Sequence, residues 1–199
     1  FGTSNIVLDG KGYTIKYTGD DDWSGLFTVV GSSSSITIKN LILDLDDSNI
    51  RNYQGGLIGS CYDKAAINIL IQNCAVINIK LISQYGGGLL GQQVGYNGGT
   101  ALIENCYVSQ DVNRKNERGG GGLLGVTAGG GNGGGVVTIV NSYFIGNLEK
   151  DKMGGIAGEK CGKYGSVHIE NCAVFGTPST GAGAICHLES GKNNNLTIS

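Results

Sequence analysis

The sequence predicts an all-β protein: a right-handed parallel β-helix, or β-solenoid, of about six coils with a period of about 32 residues. Three observations lead to this prediction. Two different markers recur at nearly the same interval, short stretches alternate between apolar and polar residues, and no segment keeps a helical period. We interpret residues 1–199 as one solenoid domain and an excerpt of a longer chain, with an opening coil at 1–24 and repeats over 25–199.

The first marker is a glycine followed by two small or aliphatic residues. It begins at Gly25, Gly56, Gly88, Gly122, Gly155 and Gly183, with steps of 31, 32, 34, 33 and 28 residues. We expect these glycines to form one corner of each coil by supplying positive φ. Period-two alternation then points one aliphatic residue inward and the next outward.

The outward aliphatic residues predict an apolar strip on the surface of several coils. Such strips usually mark an interface, although long loops or further parts of the chain are alternative covers. The candidate interface strip comprises Leu57, Ile58, Leu89, Leu90, Leu123 and Leu124.

The second marker is an asparagine that recurs at steps of 33, 32, 36 and 30 residues: Asn40, Asn73, Asn105, Asn141 and Asn171. Asparagine tolerates the left-handed backbone conformation better than other residues with a side chain, so we expect it where one strand bends into the next. Stacked asparagine side chains can then hydrogen-bond along a ladder. The insertion at 129–135 falls between markers, where loops belong.

The residue after each asparagine is small in four repeats and is expected to point inward just past the bend: Cys74, Cys106, Ser142 and Cys172. Cys74 and Cys106 should be neighbours one coil apart, about 4.8 Å, which is within the range for a disulfide. Buried, stacked thiols are the preferred interpretation. Repeats without helices bury their apolar faces by stacking, and parallel crossovers are almost always right-handed.

These repeats resemble the GLUG repeat, which reads approximately as GGLVG, a short polar turn and an IxNCYAxG-like strand. The fit is close for GGLLG at 87–91, NG at 97–98 and IENCYV at 103–108. The segments at 55–76 and 154–174 also fit, while 121–144 departs through a serine and a longer glycine loop. The stretch VLDGKGYTI at 7–15 is similar to the opening coil of many parallel β-helix proteins.

The resemblance covers about 150 of the 199 residues. It implies a parallel β-helix of the kind associated with large surface proteins, adhesins and some secreted peptidases, in which such repeats form a stalk or binding region.

Composition argues against several classes of partner and cofactor. The formal net charge of −2 is mixed along the chain, which gives no electrostatic case for nucleic acid or an anionic membrane surface. No apolar run approaches the roughly 18 residues of a membrane span. None of the six cysteines belongs to a CxxC pair or has a histidine at metal-ligand spacing, so we expect neither a metal nor another cofactor.

Enzymes on β-helices that act on polysaccharides use clustered carboxylates with calcium and a basic residue, or a pair of aspartates as acid and base. The first of the two acidic clusters comprises Asp20, Asp21 and Asp22, and the second comprises Asp44, Asp46 and Asp47. Both lie in the first coil or its connections and are interpreted as solvated loops, with weak calcium binding as an alternative. We therefore predict no catalytic residues and no enzymatic activity.

Two other features suggest binding or modification. Tyr107 and Tyr143 are expected side by side on an outer face, where aromatic rings can stack on a sugar or on another protein chain. Asn195 begins an Asn-Leu-Thr sequon that permits N-glycosylation in a eukaryotic source.

The preferred hypothesis is a structural or adhesive surface protein that forms a rod or fibre segment by lateral or end-to-end self-assembly. We expect it to be extracellular or attached to the surface of a cell or virion. The alternatives are a carbohydrate-binding adhesin module, which would use the tyrosines, and a polysaccharide-active β-helix enzyme.

Overall fold

The computed structural model describes residues 5–28, 35–61, 66–111, 119–131, 133–148, 153–177, 181–187, 190 and 195–199. Within these ranges every regular element is a β-strand, and the paired strands run parallel. The predicted all-β solenoid is confirmed, with about five turns and a period of about 32 residues. Its right-handedness stays a prediction of the crossover rule.

The strands alternate along the chain between two sheets. Sheet A contains β1 (Asn5–Asp9), β3 (Ser35–Lys39), β5 (Asn68–Gln72), β7 (Thr100–Glu104), β9 (Val136–Val140), β11 (Ser166–Glu170) and β13 (Asn195–Ile198), in that spatial order. Sheet B contains β2 (Thr14–Lys16), β4 (Ile42–Ile50), β6 (Ala75–Ile82), β8 (Tyr107–Gln110), β10 (Tyr143–Ile145) and β12 (Ala173–Phe175). Both sheets begin within the predicted opening coil, at β1 and β2.

The third side of each coil is a ladder of single parallel bridges rather than a sheet. Gly55, Gly87, Gly121, Gly154 and Gly183 pair in succession, and a second row joins Ile58, Leu90, Leu124, Ala157 and Cys186. The glycine-leucine marker of the sequence therefore builds this third side.

The core consists of columns of aliphatic side chains, one from each coil. The register of sheet A aligns Leu8, Ile38, Ile71, Ile103, Ile139, Ile169 and Ile198. The interior members, such as Ile38 and Ile103, are 0% exposed. Burying one such side chain stabilises the fold by about 1.5–3 kcal/mol, which makes these columns the principal source of stability.

The marker glycines are needed for close packing rather than for the predicted positive φ. Of the six, only Gly25 has a positive φ, 105°. A Cβ atom on Gly88 would overlap the carbonyl oxygen of Gly122 and the side chain of Val108. The left-handed residues of this corner lie two positions before the first bridge and include Tyr53, Tyr85 and Gly119, at φ 67°, 61° and 82°.

The predicted exposed strip is wrong. All six of its members, Leu57, Ile58, Leu89, Leu90, Leu123 and Leu124, are 0% exposed. Period-two alternation does not apply because the chain bends between the two bridge positions, Gly55 and Ile58 in one coil, instead of remaining extended. Both aliphatic residues consequently point into the core, and these six residues form no surface for lateral contact.

Candidate functional site

The asparagine corner follows the strands β3, β5, β7, β9 and β11 of sheet A, each of which precedes a strand of sheet B. Its five residues, Asn40, Asn73, Asn105, Asn141 and Asn171, all have left-handed φ angles between 49° and 54°. Asparagine adopts this conformation at a lower cost than most residues, and the bend redirects the chain from one sheet to the other.

Four of the five corner side chains, those of Asn40, Asn73, Asn105 and Asn141, form a chain of amide hydrogen bonds. Nδ2 of Asn73 donates to Oδ1 of Asn40 over 3.0 Å, and Asn105 donates to Asn73 over 3.3 Å. Asn141 continues the ladder to Asn105 over 3.3 Å. At the other end Asn40 donates to Oδ1 of Asp9 over 3.1 Å. This hydrogen bond, followed by one from the backbone N–H of Lys11, lowers the pKa of the Asp9 carboxyl.

The residues after the asparagines lie inside the solenoid. Cys74, Cys106 and Ser142 are at most 2% exposed, and Cys172 near the last coil is half-buried. The backbone N–H of Cys74 donates to Sγ of Cys106 over 3.4 Å, and that of Cys106 donates to Oγ of Ser142 over 3.1 Å. All six cysteines are free thiols. The side-chain hydrogen bond with the thiol of Cys74, followed by burial, raises the pKa of the Cys106 thiol, and the backbone N–H of Cys74 opposes this effect.

The two predicted tyrosines are stacked on the outer face of sheet B. The rings of Tyr107 and Tyr143, which are register partners, have centroids 5.0 Å apart and planes 5° apart. Phe175 contacts Tyr143 edge-on at 6.0 Å. These three rings form an aromatic ladder along sheet B. The ladder ends at Tyr107 because the register partner of Tyr107 in the preceding coil is Ala75.

A groove of about 390 Å³ lies where the asparagine corner meets the start of sheet B. One side is formed by Asn40, Asn73 and Asn105, and the other by Ile42, Ala75 and Tyr107. The groove therefore follows the solenoid axis across three successive coils. It brings the asparagine ladder and Tyr107 together in one concave surface, which the sequence pattern alone did not indicate.

The two acidic clusters meet at a separate corner. A pocket of about 230 Å³ is lined by residues of both, including Asp20, Asp22 and Asp46. Lys16 forms an ion pair with Asp46 at 3.0 Å, and this hydrogen bond raises the pKa of the Lys16 ammonium. Across the described residues, no group of three or more His, Cys, Asp or Glu side chains is arranged to hold a metal ion.

Sequence reasoning missed two further features. Tyr53 and Tyr85 form a second stacked pair, with ring centroids 5.4 Å apart. The sequence signal for this pair is that the two tyrosines lie one repeat apart, each shortly before a glycine marker. Gln110 is 5% exposed, and neither its amide nitrogen nor its amide oxygen has a hydrogen-bond partner. It occupies the column of Ile79, an inward position that alternation within β8 predicts.

Two remaining predictions concern glycosylation and the membrane. Asn195 begins strand β13, but its side chain lies outside the part of the chain that the structure describes. Among the described residues, no helix has the length and apolar character needed to cross a lipid bilayer.

Comparisons with protein-family models, with curated proteins and with solved structures gave no match to this chain.

Proposed function

We propose that this chain is a non-enzymatic structural or adhesive protein that forms a rod or fibre segment by associating with copies of itself, end to end. We place it outside the cell or on the surface of a cell or virus particle. The observation that supports the proposal is the complementary pattern of β1 and β13, the outermost described strands of sheet A, whose aliphatic residues belong to the same core columns.

The outermost described strand at one edge of sheet A exposes a residue that belongs to a core column. Ile198 of β13 is 54% exposed, whereas its register partner Ile169 is 1% exposed. Because Ile198 is already partly covered, a further strand over it would gain about half of the value for full burial, or about 1–1.5 kcal/mol. The backbone N–H and C=O groups along the outer edge of such a strand also favour addition of another strand.

The first strands present a matching edge. Ile15 of β2 is 38% exposed, although its register partner Leu43 is 0% exposed. The first strand of sheet A reads Asn-Ile-Val-Leu from Asn5, and the last reads Asn-Leu-Thr-Ile from Asn195. A β1 strand of one copy placed on β13 of another would therefore align aliphatic with aliphatic residues and continue the core columns.

The test measures the mass of the purified chain by light scattering over a range of concentrations, beside negative-stain electron microscopy. We expect mass to rise with concentration and rods to lengthen along the solenoid axis. In Ile198→Lys, a charge on the edge strand should prevent association while circular dichroism remains that of a β protein.

Leu102→Lys is the matched control. Leu102 is also an exposed aliphatic residue of sheet A, 38% exposed, but it lies in the central strand β7. This variant should associate like the unmodified chain. A monomer at every concentration, or equal association of Ile198→Lys and Leu102→Lys, would overturn the proposed end-to-end contact.

A second candidate function is glycan binding, and the groove at the asparagine corner supports it. The groove combines side-chain amides with an aromatic ring, and these are suitable groups for binding sugars. A polysaccharide-active enzyme has no comparable observation in its favour. The resemblance to GLUG repeats of surface proteins and adhesins stays a prediction and is compatible with both preferred functions.

A further inference from the structure

We propose that the groove between the asparagine ladder and Tyr107 binds neutral glycan chains laid along the solenoid axis. This inference gives the second candidate function a ligand class and a site, and it does not depend on self-association. Three properties of the groove support it: its lack of charge, its repeated amides and the position of its tyrosine.

The lining of the groove carries no carboxylate, ammonium or guanidinium group. Its side chains are aliphatic, amide, thiol or aromatic. Leu41, Cys74 and Ala75 are each 2% exposed and therefore contribute little surface, so the asparagines, Ile42 and Tyr107 supply most of it. A charged ligand would lose hydration without gaining an opposite charge, which disfavours acidic polysaccharides and basic peptides. A neutral ligand with many hydroxyl groups avoids this cost.

The amides can bind hydroxyl groups without breaking the ladder. A side-chain amide has two N–H donors and an oxygen with two acceptor sites. Asn73 uses one donor for Asn40 and one acceptor site for Asn105, and Asn105 is similarly placed between Asn73 and Asn141. Each amide thus retains one donor and one acceptor site. A sugar hydroxyl, which both donates and accepts, complements this pair.

The tyrosine supplies an apolar surface beside the amides. Tyr107 lines the groove at the end of the aromatic ladder, and its stacking on Tyr143 holds the ring in a fixed orientation. Ala75 occupies the same register position one coil earlier, and its small side chain, 2% exposed, lines the groove where a ring would occupy more of its volume. Fixed aromatic rings with an adjacent polar group suit a pyranose, whose ring is apolar on its faces and polar at its rim.

The dimensions agree with a short stretch of a glycan chain. The groove extends from the coil of Asn40 to that of Asn105, two coil steps, or about 9.6 Å at the parallel-strand spacing. Its volume of about 390 Å³ falls within the usual range of small-ligand sites, about 300–1,000 Å³. Its lining residues follow one another along the axis, which suits an extended oligosaccharide segment.

The test titrates the full chain by calorimetry with neutral hexasaccharides of glucose, N-acetylglucosamine, mannose and xylose, and with hexagalacturonate as an acidic comparison. We expect saturable binding of at least one neutral oligosaccharide and none of hexagalacturonate. Tyr107→Ala should weaken that binding by about tenfold or more, because it removes the aromatic surface.

Two variants separate the groove from general effects on folding. Ala75→Tyr fills the groove with a residue that the same register position already accommodates in the next two coils, so the protein should fold but lose binding. Tyr53→Ala removes a ring from the other stacked pair, away from the groove, and should bind normally. Failure of every neutral oligosaccharide to bind, binding of hexagalacturonate alone, or unchanged binding by Ala75→Tyr would each overturn the proposal. None of these outcomes tests end-to-end association, which is measured separately by light scattering.

Discussion

The side-chain amide of Asn73 donates a hydrogen bond to Oδ1 of Asn40 over 3.0 Å, and both residues adopt left-handed backbone conformations one coil apart. One residue type thus serves two purposes at the corner. Its backbone accepts the bend between the sheets, and its side chain connects neighbouring coils. The two contributions can be separated experimentally, because a glycine at this position accepts the left-handed bend but has no side chain to connect the coils.

We expect Asn73→Gly to lower the free energy of unfolding by about 1 kcal/mol, the usual net contribution of hydrogen bonds of this kind. Asn73→Ala should cost about 1–2 kcal/mol more, because alanine is strained in the left-handed conformation. Urea denaturation of the two variants beside the unmodified chain measures both values. Equal destabilisation by glycine and alanine would contradict a conformational role for this asparagine.

The close packing of glycine on the third side of the coils leads to a second prediction. A Cβ atom on Gly88 would overlap the backbone of Gly122 as well as the side chain of Val108, and backbone cannot move aside. Gly88→Ala should therefore lower the free energy of unfolding by about 3 kcal/mol.

Gly12→Ala is an informative comparison for Gly88→Ala. Gly12 has a φ of 81°, but a Cβ atom there would meet nothing within 4 Å. Alanine at this position suffers only conformational strain, about 1–2 kcal/mol. Thermal and urea unfolding should show a larger loss of stability for Gly88→Ala than for Gly12→Ala. The opposite order would contradict the steric crowding proposed for the third side of the coils.

The sheets and their columns could be predicted because each depends on local pattern. Alternation places Ile69 and Ile71 on the same face, and a periodic asparagine identifies the bend at Asn73. The orientation of Leu57 and Ile58 could not be predicted in this way, since it depends on a bend that interrupts the extended backbone. The groove depends on the absence of a ring at Ala75, which has consequences only after the coils are stacked.

Gln110 shows a further limit of the sequence pattern. Glutamine is usually a surface residue, yet alternation within β8 and pairing with Ile79 place this one inside. We expect Gln110→Met to raise the free energy of unfolding by about 1 kcal/mol or more, because a methionine of similar shape removes two buried, unpaired polar atoms.

The same substitution at Gln72 provides the control. Nε2 of Gln72 donates to Oε2 of Glu104 over 2.9 Å in a partly exposed position. Gln72→Met loses this hydrogen bond, so its free energy of unfolding should fall by up to about 1 kcal/mol. If Gln110→Met also proved less stable than the unmodified chain, the amide of Gln110 would have to contribute a favourable interaction, such as with an internal water molecule.

The buried thiol of Cys61 leads to a prediction about pH. Burial raises the pKa of Cys61 from 9.0 to about 12, so the folded chain retains a proton that the unfolded chain releases above pH 9. The resulting stability is fully present below pH 9 and is lost as the pH rises from 9 towards 12. Between pH 8 and pH 10 this one group should lower the free energy of unfolding by about 1.4 kcal/mol.

Urea denaturation at pH 8 and pH 10 tests this expectation, with Cys61→Ala as the comparison. The cavity in the alanine variant lowers its free energy of unfolding by the same amount at both pH values. The variant has no thiol to titrate at position 61. Its loss of stability between the two pH values should therefore be about 1.4 kcal/mol smaller than that of the unmodified chain. Part of the loss should persist in the variant because burial also raises the pKa of Cys186 to about 12. Identical pH dependence in the two chains would mean that the Cys61 thiol is accessible to solvent in the folded protein.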